Sequence, residues 1–205
     1  YACLVASYGL PLFLEKPVAT NREDEARLKS ILYHSDKTVV SFPLRVTDIV
    51  LRVKEIVESD RIGTLSQVQA VNNVPYGRVY FHGWYRDESE TGGLFLQKST
   101  HDFDYINSML DGAKPVAVSA VASKRIFTGD MPEGLLCENC DKKDTCPEGP
   151  DALRKLNIDP TGYACCFARD TGNHDSGSAL VTYDTGLHVV YTQNFVARNR
   201  AAKRG

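Results

Sequence analysis

A short apolar run, an amphipathic stretch and a second apolar run follow one another within the first 42 residues, and that order closes off most folds. Pro11 to Glu15 (PLFLE) comes after a glycine turn and suits a buried parallel strand. Thr20 and Glu23 have the spacing of a capping box, and Leu28, Ile31 and Leu32 supply the apolar stripe of a helix. Thr38 to Phe42 (TVVSF) reads as the next strand. Parallel strands need a crossover of about a dozen residues, which that helix provides. The sum is the βαβ rhythm of a doubly wound α/β sheet, so residues 1–42 read as part of such a domain.

Further along, the clearest helix of the chain carries Val46, Ile49, Val50, Val53, Ile56 and Val57 at i, i+3, i+4 spacing, with Gly63 placed to stop it. Thr64 to Val71 reads as a strand. Asn72 to Glu90, which holds the only tryptophan (Trp84), reads as a long loop. From Gly92-Gly93 to about Leu110 a second helical stretch is expected. Phe103, Ile106, Met109 and Leu110 form its buried side, and Gln97, His101, Asp104, Tyr105 and Ser108 the opposite one. Gly112 ends it and Pro115 to Ala122 alternates as a strand. Three more strands, Tyr163 to Ala168, Ser178 to Tyr183 and Leu187 to Phe195, suggest an antiparallel meander with a turn at Asp184-Thr185-Gly186.

Composition narrows the function classes. With 205 residues, 42% of them hydrophobic, the chain can build one ordinary core, or one and part of another. A net charge of −2 gives no polyanion-binding surface. The one basic concentration, Arg198, Arg200, Lys203 and Arg204, lacks interleaved aromatics and reads as a solvated end, so no nucleic-acid partner is expected. No apolar run approaches the roughly 20 residues that cross a bilayer, so no membrane partner is expected either. The chain opens at Tyr1 in what reads as the end of a helix, and closes at Gly205 without an obvious stop. It is expected to be a piece of a longer polypeptide.

Two constellations can carry chemistry. Lys16, in Glu15-Lys16-Pro17, stands at the carboxyl end of a parallel strand, where open α/β sheets bind ligands. There it could hold or shuttle the proton of a substrate hydroxyl, while Pro17 fixes the turn and makes a cis bond plausible. The plain alternative is a surface lysine before a turn proline. His101 has the side chain best suited to proton transfer near neutral pH, and Asp104, one turn on, could orient it or bind a hydroxyl. The plain alternative here is a solvated helix-face histidine. No G-x-G-x-x-G fingerprint and no P-loop occur in the 205 residues.

Five of the six cysteines lie between 137 and 166, as Cys137-x2-Cys140-x5-Cys146 and then Cys165-Cys166. Cys137, Cys140, Cys146 and Cys165 are candidate ligands for a structural zinc, against reduced thiols or a disulfide, with an iron–sulfur cluster as a third choice. Cys3 reads as a small buried hydrophobe. His174-Asp175 reads as a turn with an exposed histidine, and Tyr163 and Arg169 flank a strand without a clear role.

Taken together, the motifs resemble those of the Gfo/Idh/MocA oxidoreductases. Phe13-Leu14-Glu15-Lys16-Pro17-Val18-Ala19 is similar to that family's E-K-P signature. Thr91-Gly92-Gly93-Leu94-Phe95-Leu96-Gln97-Lys98-Ser99-Thr100-His101-Asp102-Phe103-Asp104 resembles its G-G-x-L-x-D-x-x-x-H-D-x-D segment. Phe42-x-x-Arg45 and Arg61-Ile62-Gly63-Thr64-Leu65 also fit its usual run, so the likeness covers nearly the whole chain.

The resemblance implies an α/β protein, α+β overall. Residues 1–42 would be the end of a Rossmann domain for NAD or NADP, with the glycine loop upstream. Residues 43–205 would form a substrate-binding and oligomerisation domain, a mixed, largely antiparallel sheet with helices on one face. It implies Lys16 and His101 as catalytic residues, Asp104, Arg45 and Gln97 as substrate-binding, and Glu15, Lys16 and Pro17 on the cofactor side. The expected partners are a carbohydrate-like small molecule and further copies of the chain, in the cytoplasm. One departure stands out: many family members place Asp four residues before the histidine, where this chain has Gln97. Glutamine hydrogen-bonds but cannot become a base, which leaves a non-catalytic, interaction-only relative as the alternative reading.

Overall fold

The computed structural model describes residues 1–32, 36–75, 78–155, 157, 159 and 163–197. The basic tail, Arg198 to Arg204, lies outside the described residues. The chain falls into two compact units: Tyr1–Val68 with Phe95–Val118 and Leu180–Val189, and Gln69–Leu94 with Ser119–Ala179 and Val190–Gly205.

The first unit opens with α1 (Ala2–Ser7), β1 (Leu12–Glu15), α2 (Arg22–Leu32) and β2 (Thr38–Ser41). β1 and β2 pair in parallel, with Leu12 opposite Thr38 and Glu15 opposite Ser41. The expected βαβ unit is therefore present. Its helix starts one residue later than the capping-box reading suggested. Asn21, not Thr20, accepts the Asp24 N–H at 2.8 Å, and its amide donates back to the Asp24 carboxylate at 2.9 Å. The Asn21 side chain thus satisfies a donor the helix itself cannot reach.

A 3-10 turn at Pro43–Val46 leads into α3 (Asp48–Glu58). The predicted stripe forms, but nothing on this helix is buried, and Val46, Ile49 and Val53 stay accessible. Phe13 and Val39, register partners in the small sheet, are accessible too.

The remaining strands are β3 (Gln67–Pro75), β4 (Pro115–Ser123), β5 (Ser176–Tyr183) and β6 (His188–Ala197), in the order β3-β6-β5-β4. β5 and β6 join through the expected turn, where Gly186 adopts φ 85°. Their buried residues alternate as a half-covered strand pair requires. The sheet is mixed. His188 N–H donates to Ser66 O at one end of β6, and the Asn194 amide donates to Asn73 further along, so β3 and β6 run in the same direction.

Several expectations are corrected in the second unit. The supposed loop from Asn72 to Glu90 holds the end of β3, α4 (Arg78–Phe81), a 3-10 turn at Trp84–Arg86 and α5 (Glu88–Thr91). Tyr163 to Ala168 is no strand. It makes only isolated bridges, Ala168 with Met131 and Ala164 with Leu136. The core here joins Val74, Tyr80, Phe81, Leu94, Phe127, Cys166 and Phe195, with the Phe81 and Phe127 rings 4.1 Å apart.

Asp175 anchors this unit from its interior, at 2% exposure. Its carboxylate accepts the backbone N–H groups of Arg125, Ile126 and Phe127, and its own N–H donates to Ser123 O at 2.8 Å. The neighbouring His174 is not an exposed turn residue either, since it is partly buried beside Gln193. Burial holds its pKa below 6.5, only partly opposed by Glu88 and Asp175. The unfolded chain then binds a proton more readily than the folded one, so stability falls as pH drops below about 6.5. Urea midpoints measured from pH 8 to 5 should decline over that window, and His174→Gln should flatten the decline.

Candidate active site

The first unit gathers Lys16, Phe42, Arg45, Gln97, His101 and Asp104. Lys16 follows β1 directly, and its bond to Pro17 is cis. The half-buried Nζ donates to the backbone carbonyl of Gln97 at 2.8 Å. Burial pushes the Lys16 pKa below 10.5, Lys98 pushes it down further, and Glu15 opposes both. A lysine depressed in this way is easier to deprotonate, which a proton acceptor requires.

Gln97 lies in a π-helical stretch, Phe95–Ser99, ahead of α6 (Thr100–Ser108). The wider turn changes which side chains share a face, so the predicted stripe is only partly right. Ile106 and Leu110 are buried as expected, but Asp102 is fully buried and Gln97 is 5% exposed. Lys16 therefore meets the Gln97 carbonyl oxygen. A π turn is a frequent companion of functional sites.

His101 stands edge-on to Phe42, ring centroids 5.9 Å apart. Phe42 was visible in the sequence only as part of a motif. Its role in flanking the histidine emerges from the 3-10 turn that brings it to α6. Arg45, on the same turn, forms a two-pronged bond to Asp104, from Nε at 3.0 Å and from Nη2. The pair raises the Arg45 pKa further, through the hydrogen bond first and the charge of Asp104 second. Both residues had been assigned to substrate. In the structure they bind each other, with Asp104 covered and Arg45 half exposed, which leaves guanidinium edge available to a hydroxyl or carboxylate.

The cysteine-rich segment belongs to the second unit. Cys137, Cys140, Cys165 and Cys166 are buried, and all six cysteines of the chain are free thiols. Cys3 is only partly covered. Burial pushes the Cys137 thiol up to about 12, and lifts Cys146, Cys165 and Cys166 as well. Among the described residues no group of three or more His, Cys, Asp or Glu donors is drawn close enough to hold a metal ion as it stands. The expected zinc set of Cys137, Cys140, Cys146 and Cys165 is therefore not formed as a metal site in the structure. Nor is any helix among the described residues long and apolar enough to cross a membrane.

Comparison with known proteins shows the family and the fold. The family of the GFO/IDH/MocA C-terminal domain matches residues 50–204, most of the chain, and the chain belongs to that family. YteT of Bacillus subtilis, which carries the name of an oxidoreductase, is 28% identical over 218 aligned residues, covering 93% of this chain and 51% of YteT. An NAD binding oxidoreductase from Klebsiella pneumoniae superposes with a TM-score of 0.69 at 17% identity, over 97% of this chain and 45% of that one. The myo-inositol 2-dehydrogenase of Lactobacillus plantarum gives 0.63 at 18%, over 94% and 47%. These structural likenesses show the α/β fold. The chain spans about half the length of the relatives it matches.

Proposed function

We propose that the protein containing this chain is an oxidoreductase that moves hydride between NAD or NADP and a sugar, polyol or related hydroxy compound. The observation that carries this reading is Lys16: a half-buried, pKa-depressed lysine at the carboxyl end of a parallel strand, bonded to the π turn that leads into His101. Residues 1–42 would close the cofactor domain and residues 43–205 form the substrate domain, with copies associating through the sheet. Free thiols throughout are in keeping with a reducing, cytoplasmic setting.

The fit to a nicotinamide cofactor is partial by nature of the residues. Glu15, Lys16 and Pro17 suit its reactive end, whereas no glycine turn for its pyrophosphate occurs among the 205 residues. When bound, the cofactor supplies the hydride acceptor. This chain's part is the proton. Neutral Lys16 takes it from the hydroxyl being oxidised, and His101 serves as the second acid/base group, its ring flanked by Phe42. Arg45, held by Asp104, orients the substrate through its free edge. Gln97 replaces a potential base with an amide, so lysine and histidine share the proton between them.

Titrating the full-length protein with NADH and NADPH by fluorescence, followed by a polyol and sugar screen, tests the proposal. Binding and turnover would support it. A folded protein that binds neither cofactor would favour the interaction-only relative instead. A second prediction follows from the charge of Lys98. Lys98→Gln should let the Lys16 pKa rise, moving the acidic limb of the kcat/KM profile to higher pH and lowering activity at neutral pH. An unmoved limb would remove Lys16 as the titrating base.

A further inference from the structure

We infer that Phe42 is a positioning residue: its ring, carried on the 3-10 turn that Arg45 fastens to α6, fixes the orientation of the His101 imidazole. The inference rests on the reading of His101 as an acid/base group, and every residue in it belongs to the first unit.

The turn follows from the local sequence. β2 stops at Ser41, and Pro43 has no N–H to extend a strand ladder, so the chain turns at once. Arg45 N–H donates to Phe42 O at 3.1 Å. The Thr47 N–H and hydroxyl both donate to Leu44 O, at 3.2 and 2.8 Å. In a 3-10 turn the side chains at i and i+3 lie nearly one above the other, so Phe42 and Arg45 project from one side. His101 and Asp104 have the same spacing on α6 and also share a face. The two pairs meet member for member. Phe42 stands edge-on to His101, with ring planes at 89° and centroids 5.9 Å apart, and Arg45 forks onto Asp104.

The two contacts do different things. The Asp104 side chain is 8% exposed, and the two bonds it accepts give the turn one set angle against α6. That fork holds backbone to backbone. It leaves the imidazole its own two torsions, and the second of these is broad in histidine. A ring packed edge-on beside the imidazole narrows that swing, because aromatic pairs favour this geometry over others. Phe42 is half-buried and is not one of the buried core residues, so what its ring contributes is local. Lys16 is bonded to Gln97 O in the π turn just before α6, so both proton-handling groups are held against the same segment. Proton transfer needs a nitrogen of the histidine within hydrogen-bond reach of the substrate hydroxyl, and its orientation decides that.

Phe42→Leu in the full-length protein should lower kcat by about 10²-fold, the loss a misplacement of roughly 1 Å produces, with KM and NADH affinity nearly unchanged. Phe42→Tyr keeps the ring and should restore most of kcat. A second readout needs no turnover. The His101 ring protons, identified in NMR spectra by their disappearance in His101→Asn, should shift in Phe42→Leu and return in Phe42→Tyr. If they do so in a folded protein that neither binds NADH nor turns over, the oxidoreductase reading fails and the positioning stands. Unshifted His101 protons overturn the inference, as does wild-type kcat in Phe42→Leu. A loss as large in Phe42→Tyr as in Phe42→Leu overturns it too. So does a loss confined to KM, which would put the ring on the substrate. Should Phe42→Leu fold poorly, cross-relaxation between the two rings in the wild type decides, and its absence overturns the inference.

Discussion

Lys16→Met in the full-length protein should lower kcat by about 10²–10⁴-fold, the range general acid–base groups contribute, with cofactor affinity nearly unchanged. Methionine keeps the apolar stem and volume of lysine while removing the ammonium that donates to the Gln97 carbonyl. If that group handles the substrate proton, the loss falls on kcat, and the acidic limb of the pH profile disappears with it. His101→Asn should also depress kcat, and its profile should retain the limb assigned to Lys16. Steady-state kinetics beside NADH titration separates these effects. Wild-type turnover in Lys16→Met would remove the lysine from the mechanism, whatever the cofactor affinity.

The second large effect concerns stability. Asp175→Ala leaves the N–H groups of Arg125, Ile126 and Phe127 without their acceptor. An unsatisfied buried donor costs about 1–3 kcal/mol, and of the three only the Phe127 N–H is fully buried, so a loss of about 2 kcal/mol is expected. Asp175→Asn keeps one acceptor oxygen and should lose less. Urea unfolding with an unchanged m value and a lowered midpoint would be the expected result. A midpoint within about 0.5 kcal/mol of wild type would mean that water or a neighbouring group takes over, as at ordinary surface positions.

Lys16, His101, Arg45 and Asp104 were all legible as candidate residues, because motifs at the ends of strong periodic elements are visible in one dimension. Their pairings were not. Arg45 and Asp104 lie 59 residues apart and were both assigned to substrate, yet the structure joins them to each other. Gln97 was read on an α-helical face. The π turn at Phe95–Ser99 buried its side chain and turned its carbonyl to Lys16, and period-3.6 reasoning cannot anticipate a turn of different width. Arg86 and Asp175 sat in stretches read as loop, where no periodicity marks a residue as buried.

The sequence by itself determined the parallel β1–α2–β2 unit, helix α3, the β5–β6 hairpin and the crowding of cysteines between 137 and 166. Each of these rests on neighbours a few residues apart, where apolar spacing, caps and glycine turns act directly. Only the tertiary structure decided that β3 runs parallel to β6, that Tyr163 to Ala168 makes isolated bridges instead of a strand, and that Arg86 is buried on Asp170 and Thr171. Those outcomes depend on contacts between segments well separated in the chain. Their energies come from burial and hydrogen-bond matching in the assembled core, which no local pattern encodes.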